Sequence, residues 1–141
     1  GPAGSNNDLN LFEEMDLASK FAKVSTGDPT VFPAEKVFRM ATIEGAKALG
    51  MEKEIGSLEP GKRADFITVS LTAPHAIPAH DPYSMLVYSL KADDVRDVVI
   101  EGRITVLDRR PLTLDPARIA REAAAFRARI AASLASSPPR N

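Results

Sequence analysis

The chain has 141 residues, 44% hydrophobic and 26% charged, with a net charge of −1, which predicts one folded globular body with a real core rather than a disordered segment. Near-neutral charge without Lys/Arg clusters argues against a nucleic-acid partner, and no apolar run approaches the roughly 20 residues of a membrane span. The absence of cysteine excludes disulfides and thiolate metal sites within the chain and fits a reducing, cytoplasmic setting.

Gly1 to Asn10 lacks the basic region and apolar stretch of a secretory signal. Residues 8–24 are predicted helical, because Leu11, Met15, Ala18 and Ala22 recur at helical spacing with Phe12 and Phe21 beside them. Asn7, Asp8 and Asn10 are candidate N-caps, and Asn10 with Glu13 reads as a capping box. Thr26-Gly27-Asp28-Pro29 stops that helix. Pro33 suits the first position of the next helix, with Val37, Met40 and Ala41 as its buried face. Thr42 is a candidate cap for a second short helix, and Gly50 a left-handed end for it.

After Met51 the character changes. Leu58-Glu59-Pro60-Gly61-Lys62 has the signature of a type II turn. Asp65 to Leu71 is rich in strand formers, with Pro74 and Pro78 bracketing an irregular loop. Asp81-Pro82 starts a short helix through Tyr88. Val95–Ile100 and Arg103–Leu107 flank Glu101-Gly102 as a second hairpin. Asp115-Pro116 caps a final helix whose stripe is Ile119, Ala123, Phe126, Ile130 and Leu134, with Arg118, Arg121, Arg127 and Arg129 on its other face. Three or four strands with open edges make an uncomfortable sheet alone, a first sign of absent partners.

The run Gly1-Pro2-Ala3-Gly4-Ser5-Asn6-Asn7 places small, hydrogen-bonding residues directly before a helix. By composition this is a well-capped helix start, or a close approach of backbone to something else. Its wording resembles the segment after the last barrel strand in the chlorohydrolase and nucleoside-deaminase branch of the metal-dependent amidohydrolases. Pro33 to Thr42 and Gly45 to Gly50 resemble that family's final barrel helices, and Ile55 to Phe66 resembles its re-entry into a small β-domain. Asp81-Pro82-Tyr83-Ser84, Leu86-Val87-Tyr88 and Val95 to Val98 complete a likeness that runs to about Leu114. The opening run narrows it to the adenosine-type deaminases, acting on 5′-methylthioadenosine and S-adenosylhomocysteine.

The resemblance implies an α/β fragment: the end of a (β/α)8 TIM barrel plus part of a small β-sandwich domain. A whole barrel takes about 250 residues and carries its site at the C-terminal ends of its strands. The expected divisions are 1–50 for the last barrel loop and helices, 51–80 for a β-sandwich hairpin and loop, 81–94 for a barrel-side helix, 95–114 for a second sandwich hairpin, and 115–141 for a C-terminal helix and tail. The implied activity of the complete enzyme is deamination of a ring amine by hydroxide on Zn²⁺ or another divalent metal. The family's metal-ligand Asp would lie just before Gly1, so no catalytic or metal residue is expected in this chain. Gly1, Gly4, Ser5, Asn6 and Asn7 are the site-shaping candidates. The chain alone is expected to be inactive and to hold no metal. Its expected partners are the upstream remainder of the enzyme and a small-molecule amine, with homo-oligomers allowed.

The other candidates read as structure. His75 and His80, five apart with Pro78 between them, do not share a helix face and are assigned to a loop rather than to a metal. Asp65 is assigned to turn amides, and Lys62-Arg63 lacks the Gly-rich pattern of a phosphate loop. Glu13, Glu14 and Asp16 read as a charged face and first-turn carboxylates. Two rival readings stand beside the deaminase: a hydrolytic dechlorinase or other ring deaminase of the same superfamily, and a non-catalytic assembly module.

Overall fold

The computed structural model describes residues 9–135. Contacts divide the chain into two units, Gly1–Arg110 and Pro111–Asn141.

The first unit opens with α1 (Leu11–Thr26). The Asn10 side chain accepts a hydrogen bond from the Phe12 amide, and Gly27 closes the helix at φ +68°. The buried face differs from the expected stripe. Phe12, Met15 and Ser19 are buried, while Leu11 is 54% and Phe21 70% exposed. Leu17, Phe21 and Val24 form a second apolar row about half a turn away from the first, and all three are exposed. A helix apolar on two opposite faces belongs inside a larger body than the one these residues build.

α2 (Ala34–Met40) and α3 (Ile43–Ala48) follow as two short helices. Pro33 occupies the N-cap rather than the first helical position, which its extended ψ of 158° requires. Ala34 and Val37 are buried, whereas Met40 is exposed. Thr42 precedes α3 but does not cap it through its side chain, because its hydroxyl donates back to the Phe38 carbonyl at 2.8 Å. The end of α3 is a Schellman motif: the Gly50 amide bonds the Lys47 carbonyl, the Met51 amide bonds that of Ala46, and Gly50 sits at φ +69°.

The Pro60-Gly61 turn forms, with Gly61 at φ +93° and the Lys62 amide on the Glu59 carbonyl. The expected hairpin does not. β1 (Phe66–Val69) follows the turn, and among the described residues no strand precedes it. The cause lies upstream: Met51–Ile55 is wound into turns on its own carbonyls, and Gly56 is pressed against α3. A Cβ at Gly56 would lie 2.8 Å from Ala46 Cβ and 2.9 Å from Ile43 Cα, and its φ is +90°. Only glycine allows that approach.

Asp81 caps α4 (Pro82–Ser84) through the Ser84 amide. The helix continues as a π turn, Met85–Ser89, closed by the Leu90 amide on the Met85 carbonyl. β2 (Val95–Ile100) and β3 (Arg103–Leu107) form the expected hairpin, with Glu101 and Gly102 both at positive φ, as a two-residue turn of this hand requires. β1 pairs antiparallel with β2, Phe66 opposite Val99, and a two-residue β4 (Arg110–Pro111) completes the order β1-β2-β3-β4. Phe66 and Ile67 point to opposite faces of β1, yet both are exposed, as are Ile100 and Ile104.

The core lies among the helices rather than on the sheet. Phe12, Met15, Ala34, Val37, Ala76, Met85, Val87 and Leu90 form one cluster, with Val69 and Val95 at its margin. Burying Val37 or Val87 stabilises it by about 1.5–3 kcal/mol each. In the second unit, α5 (Pro116–Ala135) is capped by Asp115, whose carboxylate accepts from the Arg118 amide at 3.0 Å. None of its residues is buried.

Candidate functional site

The site-shaping candidates Gly1, Gly4, Ser5, Asn6 and Asn7 lie outside the described residues. What is visible is how the helix that follows them is held. Ser19, fully buried, donates to the Phe32 carbonyl at 3.0 Å and shares a 2.6 Å hydrogen bond with the Tyr88 hydroxyl. Lys23 donates to the same hydroxyl at 2.9 Å, and its ammonium lies 5.1 Å from the Tyr88 ring centre. Burial pushes the Tyr88 phenol up, but the bonds from Lys23 and Ser19 outweigh it and leave the phenol below its ordinary value. The network ties α1 to the π turn and to the α1–α2 connection. Sequence reading missed it, although Ser19 stands four positions after Met15 on the buried face and so marks a polar group needing a buried partner.

The signature around Gly61 acts as a clasp. Lys62, its side chain only 11% exposed, donates to Ser57 and pairs with Glu59 at 3.2 Å. Hydrogen bonds from Ser57 and Lys62 hold the Glu59 carboxyl below its usual range. The Arg63 amide bonds the Glu54 carbonyl, and its guanidinium bridges Glu54 at 2.8 Å and Glu101 at 3.1 Å. Asp65 accepts from the Glu101 amide at 2.6 Å, and the Ala64 carbonyl accepts from Gly102. Asp65 thus binds one turn amide, that of Glu101 in the opposite hairpin, rather than those of its own turn. The motif joins α3 to the β2–β3 hairpin, and Lys62 and Arg63 are committed to carboxylates.

His75 lies in the loop, within the 3₁₀ turn Pro74–Ala76, and its Nε2 is 2.8 Å from Asp94 Oδ2. Asp94 is almost fully buried and also accepts from the Lys91 amide at 2.8 Å. Burial pushes its carboxyl up, but the His75 and Lys91 bonds outweigh that and leave it below the ordinary range. This bridge fastens the 70–81 loop to the start of β2. Among the described residues there is no group of three or more His, Cys, Asp or Glu placed to hold a metal, and the His75–Asp94 pair is engaged with itself. These residues therefore do not fit a catalytic metal. No helix among them is long and apolar enough to cross a membrane.

Known proteins supply the context for such an incomplete site. A 5-methylthioadenosine/S-adenosylhomocysteine deaminase of Syntrophobacter fumaroxidans is 51% identical over 111 residues, which cover 79% of this chain and 25% of that protein. An adenosine deaminase of Xanthomonas campestris solved with bound zinc superposes with a TM-score of 0.89 at 38% identity, covering 92% of this chain and 30% of that one. An atrazine chlorohydrolase of Arthrobacter aurescens complexed with zinc superposes with a TM-score of 0.76 at 30% identity, covering 87% and 27%. The chain spans about a quarter of the length of the curated relative it matches. Residues 2–105 match the family described as the Amidohydrolase family, and the chain belongs to it.

Proposed function

We propose that this chain is the C-terminal quarter of a metal-dependent deaminase that removes the ring amine of adenosine-type nucleosides, 5′-methylthioadenosine and S-adenosylhomocysteine foremost. The 51% identity to a deaminase of that name carries the reading. Within it, α1 to α3 are outer helices of a (β/α)8 barrel, and the sheet is part of a small β-sandwich completed by strands from elsewhere in the enzyme. The exposed Leu17–Phe21–Val24 row and the exposed apolar residues on both faces of the sheet support that assignment. Zinc or another divalent ion, with its ligands, belongs to the rest of the enzyme, and this chain alone is inactive.

The chain's own contribution is positional. Gly1, Gly4, Ser5, Asn6 and Asn7 shape the site next to a ligand Asp that precedes Gly1. The Asn10 cap and the Ser19–Tyr88–Lys23 network hold the helix from which that run departs. Hydrolytic dechlorination is a second reading, favoured by the likeness to the atrazine chlorohydrolase.

A substrate panel on the complete enzyme separates the two. Ammonia release from 5′-methylthioadenosine with kcat/KM at least 100-fold above that for chloride release from a chlorotriazine is the expected result. The reverse order would replace the deaminase reading with the dechlorinase one. Turnover of neither class would favour the assembly module.

A further inference from the structure

The hydrogen bonds around Tyr88 have a fixed direction. A carbonyl only accepts, and an ammonium only donates. Ser19 Oγ spends its one proton on the Phe32 carbonyl at 3.0 Å. The 2.6 Å bond between Ser19 and Tyr88 therefore takes its proton from the phenol, and Lys23 Nζ donates to the phenol oxygen at 2.9 Å. The chain of donors runs from Lys23 through Tyr88 and Ser19 to Phe32. Ser19 is fully buried by residues of this chain, so its two partners are set within it. At the far end Phe32 sits at φ +49°, a left-handed conformation that a bulky L-residue rarely adopts. The Ser19 hydroxyl is thus the tie on a strained connection between α1 and α2.

Removing the phenolic proton reverses the tie. The phenolate still accepts from Lys23 but has nothing to donate to Ser19, and two oxygens 2.6 Å apart need a proton between them. A hydroxyl bond to an ionised oxygen is roughly twice as strong as one to a neutral carbonyl. We propose that Tyr88 is an alkaline switch on the α1–α2 connection: when its phenolic proton passes to solvent base, the Ser19 hydroxyl turns from the Phe32 carbonyl to the phenolate and releases Phe32. Burial opposes this ionisation, but the bonds from Lys23 and Ser19 outweigh it, and Asp16, which also opposes it, is held by Lys20 at 2.6 Å. On the other elements packed against the π turn, Lys36 lies over the Phe32 ring, Arg39 pairs with Glu44, His75 with Asp94, and Tyr83 packs on Phe38. Glu35 is exposed. The inference is independent of the substrate reading, since every group in it belongs to the helical layer.

The test is an alkaline NMR titration of the complete enzyme, isotope-labelled at tyrosine Cζ and at the phenylalanine carbonyl carbon. The two signals are assigned by their loss in Tyr88→Phe and Phe32→Leu. Tyr88 should ionise below free tyrosine, and the Phe32 carbonyl should shift, with the same midpoint, to the position of a carbonyl without a donor. Tyr88→Phe should abolish that carbonyl shift. Lys23→Met, which leaves Ser19 and Phe32 intact, should move both midpoints up together and carries the test if Tyr88→Phe does not fold. A Phe32 carbonyl that stays in place while Tyr88 ionises would overturn the proposal. So would a carbonyl shift that persists in Tyr88→Phe, or a Tyr88 that keeps its proton until the enzyme unfolds.

Discussion

Replacing Gly56 by Ala tests the packing of the signature turn against α3. Two costs combine. An L-residue in a left-handed conformation such as φ +90° costs about 1–2 kcal/mol. The new Cβ would also meet Ala46 Cβ at 2.8 Å and the Ile43 Cα at 2.9 Å, neither of which is the end of a flexible side chain. Overpacking of that kind costs about 1–3 kcal/mol more. Gly50→Ala is the control: it shares the positive φ but has nothing within 4 Å of its Cβ, so only the first cost applies. In a multidomain enzyme a global unfolding energy is ill defined, so the local readout is hydrogen exchange. With about 1.4 kcal/mol per factor of ten, amides of α3 and of Arg63 should exchange roughly 5- to 150-fold faster in Gly56→Ala than in Gly50→Ala. Equal protection in the two variants would refute the close approach as the reason for glycine at position 56.

Ser19→Ala should destabilise the helical layer by about 1–3 kcal/mol, because it strips partners from the Phe32 carbonyl and the Tyr88 hydroxyl. Tyr88→Phe should cost less, since Ser19 keeps Phe32, and denaturation midpoints in the reverse order would contradict the network as drawn. The Asp94 carboxyl titrates below its ordinary value of 3.8 when folded, so the unfolded chain binds more protons in acid. Its contribution to stability is complete above that value and is lost as pH falls through the folded one. Asp94→Asn should therefore flatten the acid limb of melting temperature against pH, and an unchanged limb would remove Asp94 from that role. Asn6→Ala and Asn7→Ala in the complete enzyme should lower kcat more than melting temperature and leave the pH–rate profile in place, since neither side chain takes a proton. Wild-type kcat with a much lower melting temperature would reduce the run to a helix cap.

Local chemistry made much of the fold legible. The β2–β3 hairpin, the Gly27 and Gly50 helix ends, the Asp81 and Asp115 caps and the Pro60-Gly61 turn follow from residues whose backbone preferences act within a few positions. The errors are tertiary. The buried face of α1 runs through Phe12, Met15 and Ser19 because the core sits on that side, while Leu17, Phe21 and Val24 carry an equally apolar signal on the other. The turn at Gly61 forms without the hairpin, because the preceding segment is spent on α3 rather than on strand pairing. Of the site, the sequence showed wording more than geometry. The loop position of His75 is legible from Pro74 and Pro78, but its partner Asp94, 19 residues away, leaves no local trace. Ser19, Lys23 and Tyr88 likewise meet only in three dimensions.

The proposed place of the chain in a metal-dependent adenosine-type deaminase is open to test by chelation of the complete enzyme. Ammonia release from 5′-methylthioadenosine should be measured as purified, after exhaustive chelation, and after stoichiometric zinc is returned. At least 99% of turnover should be lost on chelation and should return with the metal. Turnover that survives complete metal removal, or a metal-replete enzyme that releases no ammonia from any adenosine-type nucleoside, would contradict it.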